Sequence, residues 1–224
     1  FLIGQTAKIG YDGSNYYFPI RNDTLGAALM RYDGLGNTAT RVVFPGSHPS
    51  VDLEVGIASI SNSVDSDGTD IYFQAPPTST AATGSWGREI YRYSPSTGNV
   101  VRLTNYLGPT DNTHGTGFNY VYHLDGEILF LQDDPVAGVR TLSYNIATTA
   151  ITVFEDIYTS AYGLRDFYSL ANGDIIFRSA VGELLLMQGS TITEISDTAG
   201  TPIIIDGTLY FVDQQDNVTI YAYD

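Results

Sequence analysis

Apolar and polar positions alternate along this chain in short runs, and each run ends in a cluster of Gly, Asp, Asn, Ser or Pro. The stretch "GREIYRYSPSTGNVVRLTN", residues 87–105, shows the unit: Ile90, Tyr91 and Tyr93 before the turn, Val100, Val101 and Leu103 after it, "SPSTGN" between. Period-two alternation bounded by turn residues predicts strand, turn, strand. A second signal recurs at fixed places within a larger unit: "DGSNYYF" at 12, "DGTDIYF" at 67, "DGEILF" at 125, "NGDIIF" at 172 and "DGTLYF" at 206. Asp-Gly and Asn-Gly pairs tolerate the positive φ of tight hairpin turns, so each marks a reversal between two strands. A strand precedes every such turn ("TAKIGY", "IASISNSV", "FNYVYHL", "RDFYSLA", "TPIII"), and a third follows it ("ALMRYD", "EIYRYS", "TLSYN", "ELLLMQ", "TIYAYD"). Four of the five repeats then supply a fourth strand, "TRVVF", "VVRLT", "AITVF" and "TITEI".

Four-stranded antiparallel units repeated along a chain predict an all-β fold, a five-bladed β-propeller. The fifth repeat stops at Asp224 without its outer strand, while the chain opens on an unassigned apolar strand, "FLIGQ". The expectation is that residues 1–5 complete the last blade and close the ring. A single domain over 1–224 follows, with blades near 6–44, 57–104, 117–154, 165–195 and 201–224 plus 1–5. A β-sandwich is the alternative, but it gives no reason for the repeating turn order. Phe18, Phe73, Phe130, Phe177 and Phe211 hold one place in each repeat and are expected to pack neighbouring blades together.

"REIYRYSPSTGNVVRLTN" resembles the repeat of TolB-like propellers, whose blades read apolar-Tyr, a polar turn with Gly, then Leu-Thr-Asn. The "DGTLYF" turns are similar to those of bacterial ELWxxDGT-type propeller repeats. Blades three and four depart from this pattern, with "TLSYNIATTAITVF" and "ELLLMQGSTITEI". The resemblance implies a bacterial propeller scaffold, which hosts many functions.

Composition narrows the field. With 10 Lys plus Arg against 25 Asp plus Glu, the formal charge of −15 repels phosphate backbones, which excludes nucleic acid as a partner. The absence of Cys removes disulfides, thiolate metal sites and Cys nucleophiles. No apolar run approaches the ~20 residues that span a bilayer. An acidic, Cys-free chain rich in Tyr, Thr, Ser and Asn suits an exported protein, extracellular or periplasmic. Its first residue, Phe1, suits a processed product or a fragment.

In an antiparallel four-stranded blade the one-to-two and three-to-four turns share one end, and all other connections share the opposite end. Every short turn here falls at the first end and every long segment at the second, concentrated in blades one to three. Long loops on a rigid frame are usual binding positions. Trp86, Tyr106, Tyr158 and Tyr162 offer rings for a partner or a sugar, although such rings also serve to pack their own loops down. His48 and His114 lie in separate long loops, and Asp166 is the one carboxylate on the five inner strands. A metal site would need those histidines gathered with Asp52, Glu54 or Asp111. Calcium could bind an acidic loop, but no loop with spaced Asp/Asn ligands and their glycine is present, so no cofactor is expected. A propeller glycosidase would need two converging carboxylates where the inner strands supply one. No nucleophile elbow, phosphate loop or dinucleotide fingerprint occurs. The reading is a secreted, non-catalytic interaction module that binds a protein partner through its long-loop face, with a lectin-like, carbohydrate-binding propeller as the alternative and a glycoside hydrolase third.

Overall fold

A computed structural model of the chain describes residues 9–22, 26–42, 64–75, 89–104, 121–134, 138–155, 165–170, 172–179, 182–188, 191–200, 202–205, 208–212 and 219–223. All regular structure among them is β. The first sheet runs β1 (Gly10–Tyr11), β2 (Asn15–Asn22), β3 (Gly26–Asp33), β4 (Thr38–Arg41), and the second β5 (Val64–Ser66), β6 (Ile71–Ala75), β7 (Glu89–Ser94), β8 (Asn99–Arg102). The third is β9 (Val121–Leu124), β10 (Glu127–Asp134), β11 (Gly138–Asn145), β12 (Ile151–Glu155), and the fourth β13 (Arg165–Ser169), β14 (Ile175–Arg178), β15 (Leu184–Gln188), β16 (Thr191–Ser196). The fifth has three described strands, β17 (Ile203–Ile205), β18 (Thr208–Val212) and β19 (Ile220–Tyr223). Every sheet is a sequential antiparallel meander, as the turn spacing predicts. The proposed closing strand, residues 1–5, lies outside the described residues.

The Asp-Gly turns take two forms. In the third sheet Leu124 pairs directly with Glu127, and Asp125 and Gly126 have φ of 44° and 80°, the two-residue hairpin that requires left-handed backbone. The first two sheets use a longer turn, Asp12–Asn15 and Asp67–Asp70, with Gly13 and Gly68 at positive φ. There the aspartate folds back: Asp12 Oδ1 accepts the Ser14 and Asn15 N–H groups at 2.9 and 2.7 Å, and Asp67 Oδ1 those of Thr69 and Asp70 at 2.8 and 2.7 Å. The other carboxylate oxygen receives a tyrosine hydroxyl five residues on, Tyr17 to Asp12 and Tyr72 to Asp67, each at 2.7 Å.

The chain divides into two compact units, 1–154 and 155–224. Inside the first, consecutive sheets pack face to face. The trailing face of the first sheet (Tyr17, Leu29, Val42) meets the leading face of the second (Val64, Ile71, Phe73, Tyr91, Tyr93). The fit is close: a Cβ on Gly10 would stand 3.2 Å from Ile71 Cδ1. The trailing face of the second sheet (Tyr72, Ile90) then meets the leading face of the third (Val121, Ile128, Phe130, Leu142, Tyr144). Inside the second unit, Ile176 and Leu184 of the fourth sheet pack with Leu209 and Phe211 of the fifth. Phe73, Phe130, Phe177 and Phe211 are buried as expected, whereas Phe18 is only partly so. The reason is positional: Phe18 points from β2 to the leading face of the first sheet, against which no described sheet packs.

Candidate functional site

The antiparallel order puts segments 43–63, 76–88 and 105–120 at the ends of their sheets opposite the Asp-Gly turns. Trp86, Tyr106, His48, His114, Tyr158 and Tyr162 all lie outside the described residues. What the structure does describe is the platform from which two of these loops depart. Glu89, three residues after Trp86, opens β7 and is fully buried. Its Oε1 accepts from the Arg102 guanidinium at 2.8 Å, and its Oε2 accepts from the Thr104 hydroxyl. Thr104 Oγ1 in turn accepts the Ile90 N–H at 2.9 Å, and Arg102 Nε donates to the Thr104 carbonyl at 2.8 Å. A buried charge is tolerable only when so compensated, and the compensation ties the end of loop 76–88 to the start of loop 105–120. Tyr106 follows Thr104 by two residues, so the two candidate aromatics leave from one locked corner. Sequence reasoning missed Glu89, Arg102 and Thr104; the one visible signal was a carboxylate opening an otherwise apolar strand. Tyr91, the ring beside this network, titrates well above its ordinary range because it is buried, an effect that Glu89 reinforces and Arg102 opposes.

Asp166 is the one sequence-derived site residue that is described. It lies on β13, the first strand of the fourth sheet, with φ of 55° where the β13–β14 register shifts. Its carboxylate is buried and holds Arg178 through Nε at 2.7 Å and through a terminal guanidinium nitrogen. The pair stabilises a bulge at the start of the strand, and a carboxylate so occupied is poorly placed to serve as a lone acid or base. Burial, with Asp166 nearby, pushes the Tyr168 hydroxyl up to about 12, against the opposing pull of Arg178.

At the other end of the first unit, His123 stacks on Tyr72 with ring centroids 5.6 Å apart and planes 7° from parallel. Its backbone N–H donates to Asp65 at 3.0 Å, joining β9 to β5. Burial alone would raise the Asp12 and Asp67 carboxyls, but their tyrosine and backbone hydrogen bonds outweigh it, and both sit below the ordinary carboxylate range. Among the described residues no group of three or more His, Asp or Glu stands together as metal ligands would, and no helix is long and apolar enough to cross a membrane.

No family model matches this chain, and no curated protein matches it. Solved structures do. The chain is similar to the extracellular domain of a putative hybrid two-component system from B. thetaiotaomicron, with a TM-score of 0.60 and 12% identity over 97% of this chain and 27% of that one. It is similar to TolB from Acinetobacter baumannii, at 0.54 and 14% over 94% and 52%. The β-propeller domain of the Trilobed protease from Pyrococcus furiosus, described as having an open velcro topology, gives 0.58 and 12% over 97% and 66%. The chain thus spans between about a quarter and two thirds of the length of these structures. At such identities the likeness shows the fold: an all-β chain of propeller type, similar to TolB and to extracellular propeller domains.

Proposed function

We propose that the chain is a non-catalytic interaction module of an exported protein, a five-bladed propeller whose long-loop end binds a protein partner. In this reading 1–224 is one domain, and residues 1–5 add the fourth strand beside β19. The observation that carries it is the Glu89–Arg102–Thr104 corner. A buried, fully engaged ionic network is a costly way to end a strand, and it stands where loops 76–88 and 105–120 depart, giving Trp86 and Tyr106 a rigid base. The likeness to an extracellular domain and to TolB supports export. The single inner-strand carboxylate, engaged with Arg178, favours binding over glycoside hydrolysis.

The test is Trp86→Ala combined with Tyr106→Ala. Binding of the native partner should fall at least tenfold, the scale of one or two lost aromatic anchors, while the melting temperature holds. Unchanged binding would remove these loops from the interface. Deleting residues 1–5 should lower the melting temperature, since each fully buried large apolar side chain contributes roughly 1.5–3 kcal/mol; an unchanged value would count against the fourth strand.

A further inference from the structure

The internal seams set a standard against which the two outlying faces can be read. Registering the first sheet on the second through Asp12 and Asp67 places Ile9 where Val64 stands, Tyr16 where Ile71 stands, Phe18 where Phe73 stands, and Met30 and Tyr32 where Tyr91 and Tyr93 stand. All five residues of the second sheet are buried, yet Ile9 and Tyr16 are 51% and 45% exposed. The fifth sheet shows the complement. Registered through Phe211 and Phe73, Tyr210 takes the place of Tyr72 and Ile220 that of Ile90. Ile90 is fully buried, as are Leu29 and Leu184 at the same position in the first and fourth sheets, but Ile220 is 68% exposed. Ile203 and Ile205 stand exposed on the same face.

We infer that the leading face of the first sheet is an interface for the trailing face of the fifth sheet in a second copy of this chain. Each face carries the residues of one half of an internal seam, so the partner that fits each is a sheet bearing the other half, and this chain supplies both. The two faces differ, which makes the contact head-to-tail rather than two-fold. Tyr, Phe, Met and Ile are the side chains that fill interface cores, and a contiguous apolar patch of this kind is unusual on a surface left to water. The second seam supplies a guide contact, the stack of Tyr72 on His123. His123 pairs with Ile128 as Tyr11 pairs with Tyr16, so the corresponding stack is Tyr210 of one copy on Tyr11 of the next.

This inference rests on the propeller reading for the equivalence of the sheets, but its test does not touch loops 76–88 and 105–120, so partner binding reports separately on the proposed function. The chain has no Cys, which leaves a clean background. In Tyr11→Cys combined with Tyr210→Cys, a short bis-maleimide should bridge chains into a ladder of dimers and higher species, and either single variant should give at most a trace. A bridge within one chain, or no bridge, overturns the inference. Light scattering of the unmodified protein should show mass rising with concentration, and Ile220→Asp should abolish that rise while leaving the β-sheet circular dichroism unchanged. A constant single-chain mass in the unmodified protein would also overturn it.

Discussion

Tyr16 and Tyr17 are neighbours on β2, yet one is nearly half exposed and the other fully buried; at the same places on β6, Ile71 and Tyr72 are both buried. The two sheets share strand order, register and the Asp–Tyr hydrogen bond across the turn. They differ in their neighbours: the second sheet is packed on both faces, the first on its trailing face alone. Alternation in a strand therefore says which residues share a face, while the burial of that face depends on what the rest of the molecule brings to it.

The largest expected effect tests this contrast directly. Phe73→Ala should destabilise by about 3–5 kcal/mol, the usual cost of emptying an aromatic core position, whereas Phe18→Ala in dilute solution should cost about 1 kcal/mol. Equal losses in denaturant unfolding would mean that the first sheet's leading face is covered after all. In the fourth sheet, whose first strand is bulged at Asp166, Arg178→Ala leaves a buried carboxylate without its main partner and should cost roughly 3–5 kcal/mol. Arg178→Ala combined with Asp166→Ala should recover part of that loss; no recovery would show the pair to be incidental to the bulge.

The turns sharpen the comparison on a smaller scale. Asp67→Ala removes three hydrogen bonds and should cost about 1–2 kcal/mol. Asp125 forms its turn through its backbone, and Asn tolerates the same positive φ, so Asp125→Asn should stay within about 0.5 kcal/mol. The depressed carboxyls fix the sign of the pH dependence. Because Asp12 and Asp67 hold protons less tightly folded than unfolded, their contribution is complete above the ordinary carboxylate value of about 4 and is lost as pH falls through the lower folded value. Urea midpoints of the unmodified protein should therefore fall more steeply in that acidic window than those of Asp67→Asn. Tyr17 and Tyr72 are raised, chiefly by burial, so stability should also decline above about pH 10, where the unfolded chain ionises first.

Strands, their order and their turns were legible because alternation and Asp-Gly pairs are local properties of a few residues. The bond from Tyr17 to Asp12 was not, because only the folded four-residue turn brings a side chain five residues on back to the carboxylate. The Glu89–Arg102–Thr104 corner was hidden for a related reason: its members lie on both strands of a hairpin and in the residues just after it, and nothing in their spacing announces a network. Asp166 was found as a lone acid on an inner strand, but its engagement with Arg178 depends on a bulge that alternation does not show. The exposure of Ile9, Tyr16 and Ile220 was illegible in principle, since their local patterns match those of buried counterparts. Loop residues such as Trp86 and Tyr106 carry no periodic signal from which placement could be argued.

The most direct test of the central claim, that the long-loop end is what a protein partner engages, is a cross-linking map of the native complex. The account predicts partner contacts near Trp86, Tyr106 and His114, close to the corner held by Glu89 and Arg102. Contacts confined to the turns at Asp12, Asp67 and Asp125, at the opposite end of the sheets, would contradict it.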